Sequence, residues 1–107
     1  MKALPSSIRV KKRYLRFEIE SDVTITRYNI TDAIFHSGRS LFGDYGMSLI
    51  NIQFIDFDES SKTGVIRCTR DKVDCVRAII ATVSNIKGYP SAIRVLRVSG
   101  TIKGVKR

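Results

Sequence analysis

MSLINIQFIDFDESSKTGVIRCTR, residues 47–70, reads as a β-hairpin, and what stands on either side of it decides the fold. Ile50, Ile52 and Phe54 alternate with Asn51, Gln53 and Ile55, the two-residue period of a strand, so a long strand is expected over 47–57. The polar run Asp58-Glu59-Ser60-Ser61-Lys62 breaks the alternation and supplies the turn. Residues 63–70 then return as the partner strand.

Towards the N-terminus, Leu15, Phe17 and Ile19 alternate with Tyr14, Arg16, Glu18 and Glu20, which predicts a half-buried strand over 13–20. Thr24 and Thr26 are candidate N-caps for a helix in which Ile30, Ile34 and Leu41, with Ala33 and Ser37 between them, keep helical spacing. Gly43 is the expected stop, and Gly43-Asp44-Tyr45-Gly46 a tight connection to the hairpin. Towards the C-terminus, Asp71 or Thr69 can cap a second helix whose apolar stripe is Val73, Val76, Ile80 and Val83, widened by Ile79 and Ile86. Gly88 follows it, Tyr89-Pro90-Ser91 turns the chain, and residues 93–98 form a last strand.

The order is strand, helix, strand, strand, helix, strand. Two βαβ halves with right-handed crossovers predict an α+β fold of the ferredoxin-like βαββαβ type, a four-stranded antiparallel sheet with two helices on one face. A chain of 107 residues suits a single domain, with residues 1–7 and 103–107 as mobile tails. The first and last strands are neighbours in this topology, which matters because of the charges they carry.

The net charge is +9, and it is segregated. Residues 1–17 and 75–107 hold thirteen Lys or Arg and no Asp or Glu, whereas all ten carboxylates fall between Glu18 and Asp74. Lys11, Lys12, Arg13 and Arg16 near the first strand would join Arg94 and Arg97 on the last in one electropositive surface. Such a surface suits a polyanion, and these six residues are the candidate RNA-binding set. Neither helix carries the row of bases that groove reading needs, so contact to phosphates of a structured RNA is expected. Base stacking on the sheet is not expected: residues 63–70 contain no aromatic, and Tyr14 is the one ring placed on the open face of the first strand.

Chemistry carried by the chain itself finds little support. The single histidine, His36, lies within the first helix without a cysteine or carboxylate at the spacing of a triad or ligand pair. Cys68 and Cys75 are too few for a metal quartet or a disulfide framework and read as structural thiols. Asp56, Asp58 and Glu59 resemble an ordinary acidic turn more than a cation site, so no metal or other cofactor is assigned to the protein. The longest apolar runs are far below a membrane span, and the basic N-terminus lacks the apolar stretch of a signal peptide, which suggests a cytosolic or nuclear protein with no membrane partner.

Arg13-Tyr14-Leu15, Asp32-Ala33-Ile34, Leu41-Phe42-Gly43-Asp44-Tyr45-Gly46, Gly64-Val65-Ile66-Arg67-Cys68 and Val95-Leu96-Arg97-Val98-Ser99-Gly100-Thr101-Ile102 occur in this order over nearly the whole chain. In these segments the sequence resembles ribonuclease P protein component 2, the archaeal and eukaryotic Pop-type subunit family. The resemblance implies a subunit of an RNA-based endonuclease that removes the 5′ leader of precursor tRNA, with the active site in the RNA and any Mg²⁺ bound there. It implies as partners the ribonuclease P RNA, the TIM-barrel-like protein component 3, other ribonuclease P proteins and a second copy of the chain within a heterotetramer. Precursor tRNA would be met indirectly, and the setting would be cytoplasmic in an archaeon or nuclear in a eukaryote. Leu41, Phe42, Tyr45 and Met47, apolar residues flanking the tight loop, are the candidate protein interface. Members with a longer C-terminal extension are known in this family, and this sequence ends at Arg107. Two other classes compete: a ferredoxin-like interaction module for a different structured RNA or an acidic protein, and a small hydrolase acting alone.

Overall fold

The computed structural model describes residues 11–107, so the expected tail over 1–7 lies outside the described residues. The first strand, β1 (Lys12–Glu20), buries Leu15, Phe17 and Ile19 and leaves the alternate positions on the other face. Helix α1 (Arg27–Ile50) begins at Thr26, whose hydroxyl accepts a bond from the Asn29 amide at 3.2 Å while Asn29 Oδ1 accepts from the Thr26 amide at 3.0 Å. This reciprocal cap selects Thr26 over Thr24.

The helix does not stop at Gly43. Gly43 takes φ 69° and ψ 177°, a conformation open to glycine almost alone, and helical structure resumes beyond it as far as Ile50. The expected tight connection over Gly43-Asp44-Tyr45-Gly46 is therefore a break inside α1, and the strand expected from Met47 begins at Gln53. Met47 and Ile50 are three apart and face the core from a helix, so the alternation that runs through Ile50, Ile52 and Phe54 straddles a helix end. Asn51, at φ 54°, caps that end by donating its amide to the Met47 carbonyl at 3.0 Å. The break also lets Met47 reach back to Gly38: a Cβ on Gly38 would stand 2.5 Å from the Met47 Sδ and Cε. Gly38 thus takes the buried position expected for Leu41, which is 46% exposed.

Strands β2 (Gln53–Asp58) and β3 (Thr63–Thr69) form the hairpin. The turn is tied to β1, where the Ile19 amide donates to the Lys62 carbonyl at 2.8 Å and Lys62 Nζ to the Ser21 carbonyl at 2.5 Å. A 3-10 turn over Arg70–Lys72 precedes α2 (Val73–Thr82), so Thr69 makes no cap with its side chain and instead donates to the Leu49 carbonyl at 3.2 Å. Val76, Ile79 and Ile80 are the buried face of α2. Val83 and Ile86, expected on the helix, are buried just past it, Ile86 in a small hairpin of β4 (Asn85–Ile86) and β5 (Tyr89–Pro90). Strand β6 (Ala92–Ser99) completes the sheet, whose order is β2-β3-β1-β6 with every pair antiparallel. With α1 and α2 packed over its apolar face, this is the ferredoxin-like arrangement read from the sequence.

The core lies between sheet and helices. Phe17, Leu15, Ile30, Ile34, Ile66 and Ile79 are each 0% exposed, and each such side chain contributes about 1.5–3 kcal/mol relative to exposure. A second, smaller apolar contact lies on the opposite face. Residues 103–107 are not a loose tail: α3 (Ile102–Val105) is capped by Thr101, whose hydroxyl accepts from the Gly104 amide at 2.9 Å, and it packs on β6 and β1. Val105 is 0% exposed and Val65 only 2%, yet Val65 pairs with Arg16 and Asp56 on the side turned away from α1 and α2. α3 therefore covers part of the otherwise open face.

Candidate nucleic-acid interface

Alternation and ladder register place Lys12, Tyr14, Arg16, Glu18 and Glu20 on the open face of β1. Across β3 stand Thr69, Arg67, Val65 and Thr63; across β6 stand Ser99, Arg97 and Arg94. The last two need explanation, because residues three apart on a regular strand point to opposite faces. A β-bulge supplies it: Arg16 faces Arg97 but the next residue, Phe17, faces Val95, so Leu96 is the extra residue and both arginines reach the same face.

Charge divides this face along β1. At one end Arg94 lies 2.5 Å from Glu18 and 3.4 Å from Glu20. The hydrogen bond that Arg94 donates to Glu18, with the nearby Glu20 carboxylate, raises the pKa of the Arg94 guanidinium above its ordinary value. Arg94 is thus a neutralised member of the expected RNA-binding set. At the other end Arg16 faces Arg97 directly, and neither of them, nor Lys12 or Arg67, is in a salt bridge among the described residues. Like charges directly opposite each other destabilise a sheet, so this end is electrostatically unsatisfied until an anion approaches.

The remaining candidates lie at the margin. Lys11 is exposed just before β1, where its carbonyl accepts from the Arg70 amide at 2.8 Å. Arg13 pairs with Cys68 on the helix-covered side and donates to the Lys12 carbonyl at 3.1 Å, so it leaves the strand away from Arg16. Two basic residues outside the expected set belong to the open face. Arg67 of β3 stands opposite Tyr14 and donates to Gln53 Oε1, and Lys106 beyond α3 forms an ion pair with Asp56. Arg67 sits in the acid-rich middle of the sequence, and only the pairing of β3 with β1 brings it beside the first strand.

The expected protein-interface residues divide as well. Met47 is 8% exposed and belongs to the core, and Phe42 packs against that core half-buried. Leu41 and Tyr45 are 46% and 79% exposed, and Leu49, outside the expected set, is 47% exposed. The break at Gly43 explains the division, since the second half of α1 turns Met47 inward while Tyr45 and Leu49 face out. On the other side of α1, a polar groove of about 680 Å³ runs between His36, Asp32 and Ser40 and the segment carrying Ser84 and Lys87. In the acidic turn, Asp56 is engaged by Lys106, while Asp58 accepts from the Ser60 hydroxyl at 2.7 Å, and those bonds lower its pKa.

Comparison with known proteins bears on this surface. The family model described as Rpp14/Pop5 family matches residues 13–107. The chain belongs to the Rpp14/Pop5 family. Its relatives include proteins named ribonuclease P protein component 2: that of Pyrococcus horikoshii is 39% identical over 107 residues, covering 100% of this chain and 89% of the relative. That of Methanosarcina barkeri is 41% identical over 103 residues, covering 96% of this chain and 75% of the relative. A chain in the cryo-EM structure of yeast ribonuclease MRP superposes with a TM-score of 0.72 over 87% of this chain and 76% of its own length, at 17% identity, which speaks for a shared fold. For this Rpp14/Pop5 family chain, no helix among the described residues is long and apolar enough to cross a membrane.

Proposed function

We propose that this chain is a protein subunit of ribonuclease P that binds and stabilises the catalytic RNA and performs no bond cleavage itself. The observation that carries the proposal is the basic end of the sheet, where Lys12, Arg16, Arg67 and Arg97 form no ion pair among the described residues, in a chain whose family relatives are named ribonuclease P protein component 2. Lys11 and Arg13 extend the surface around the strand end. Phosphates that must approach closely in the folded RNA would be screened here, which lowers the Mg²⁺ the RNA needs for its active shape. The Mg²⁺ and the reacting groups belong to the RNA in this reading, and precursor tRNA is met through it.

The exposed Leu41, Tyr45 and Leu49 are the natural place for protein partners, component 3 or a second copy of this chain within a heterotetramer. The cytoplasm of an archaeal cell is the setting proposed, in keeping with the archaeal relatives. The test is cleavage of a precursor tRNA by the cognate RNA at low Mg²⁺, with component 3 present and this protein added or omitted. A higher rate or a lower Mg²⁺ requirement on addition is expected. No change, where a relative named component 2 does stimulate the same RNA, overturns the proposal.

A further inference from the structure

Tyr14 occupies the centre of the basic end of the open face. Its neighbours along β1 are Lys12 and Arg16, its partner on β3 is Arg67, its partner on β6 is Ser99, and Arg97 stands diagonal to it. One aromatic ring is thus surrounded by four cations, with no ion pair to any of them among the described residues. A ring offers a nucleobase a flat apolar face, a guanidinium plane offers a second, and the flanking cations suit the phosphates on either side. The lack of an aromatic on β3, which argued against stacking in the sequence, is met by Arg67.

The same region lies beside α3, which packs on β6 and β1. It is held by the buried Val105, the exposed Lys106–Asp56 ion pair, the Thr101 cap, the Thr101 amide donating to Ser99 Oγ at 3.3 Å and the Arg97 guanidinium donating to the Arg107 carbonyl at 3.5 Å, all of them exposed except Val105. The face also leaves something unsatisfied: Arg67 Nε is shut off from solvent and has no hydrogen-bond partner. A donor in that position is a standing cost that an incoming oxygen or ring nitrogen would remove.

We propose that the sheet face around Tyr14 and Arg67 is a site for an unpaired nucleotide of RNA, and that α3 is its displaceable cover. The proposal rests on the RNA-binding reading above and adds to it a preference for single-stranded segments at this place. A duplex keeps its bases stacked internally and would meet only the surrounding cations. Lifting α3 opens the face beside the ring and releases Lys106 from Asp56.

The test uses the full chain with a short oligouridylate and, separately, a blunt RNA duplex. Val105→Ser loosens the cover without changing charge, and it is expected to tighten oligouridylate binding severalfold while leaving the duplex affinity where it was. Tyr14→Leu removes the ring and is expected to weaken oligouridylate binding about tenfold with an unchanged salt slope, and Tyr14→Phe to restore it. Hydrogen exchange gives an independent reading. The amides of Gly104, Val105 and Lys106 are bonded to Thr101 Oγ1 and to the Thr101 and Ile102 carbonyls, and oligouridylate should speed their exchange. If the duplex binds but both variants bind oligouridylate as the parent does, or the α3 amides slow down on binding, the site is overturned while the RNA reading stands. If neither RNA binds the parent chain, the RNA reading falls and the site with it.

Discussion

Arg94 and Arg97 are the same residue type on one strand and one face, yet their surroundings assign them opposite work. Arg94 is occupied by Glu18 and Glu20, while Arg97 confronts Arg16. Arg97→Glu should therefore weaken RNA binding strongly and Arg97→Lys only mildly, whereas Arg94→Ala should lower the melting temperature slightly and leave RNA binding near the parent value. Filter binding at several salt concentrations separates these outcomes, and equal damage from Lys and Glu at position 97 would indicate a bidentate contact. Cys68 supplies a different prediction. It is 0% exposed, and burial, partly opposed by the charge of Lys12, pushes its thiol up from 9.0 to about 11. Below about pH 9 both folded and unfolded forms keep the proton; between about 9 and 11 only the unfolded thiol ionises, so this residue's contribution falls by about 1.4 kcal/mol per pH unit. Denaturant midpoints taken across that range should drop more steeply for the parent than for Cys68→Ala. A parallel decline in both would show that other groups govern the alkaline limit.

Among the elements, α1 depends most on single backbone positions. Gly43→Ala would force a side chain into φ 69°, ψ 177°, a strain of about 1–3 kcal/mol, and Thr26→Ala would remove a reciprocal cap at a cost of about 1 kcal/mol. Urea denaturation should register both losses, and an unchanged midpoint for Gly43→Ala would mean the break can relax into a continuous helix. The sequence revealed β1, the hairpin, α2 and β6 through periodicity, because each buries one face and its pattern repeats at the spacing of its own backbone. It concealed the course of residues 43–52, since Met47, Ile50 and Ile52 suit a helix end and a strand equally well. It also concealed the bulge at Leu96, which no local pattern marks, and α3, whose buried Val105 gains its meaning only from the packing of this helix on β6 and β1. For the candidate site, composition indicated which chain segments carry the charge. The register decided which cations are free: Arg94 was subtracted by Glu18, and Arg67 was added by the pairing of β3 with β1.

For the whole molecule, a net charge of +9, with Lys12, Arg16, Arg67 and Arg97 together at one end of the sheet, predicts association governed by counterion release. If Lys12, Arg16, Arg67 and Arg97 each neutralise one phosphate, the logarithm of the binding constant should fall with the logarithm of salt with a slope of about −3 to −4. Arg16→Ala should make that slope shallower by about one, and a slope near zero for the parent would exclude the phosphate-based reading. The strand order β2-β3-β1-β6 has a consequence for biosynthesis. β1 is made well before β6, its neighbour in the sheet, which begins only at Ala92. Until then the nascent polypeptide has half of its Arg16–Arg97 pair and an unfinished sheet edge along β1. Affinity for RNA on the proposed surface should therefore mature together with the last strand, and a chain terminated before β6 should fail to form that surface.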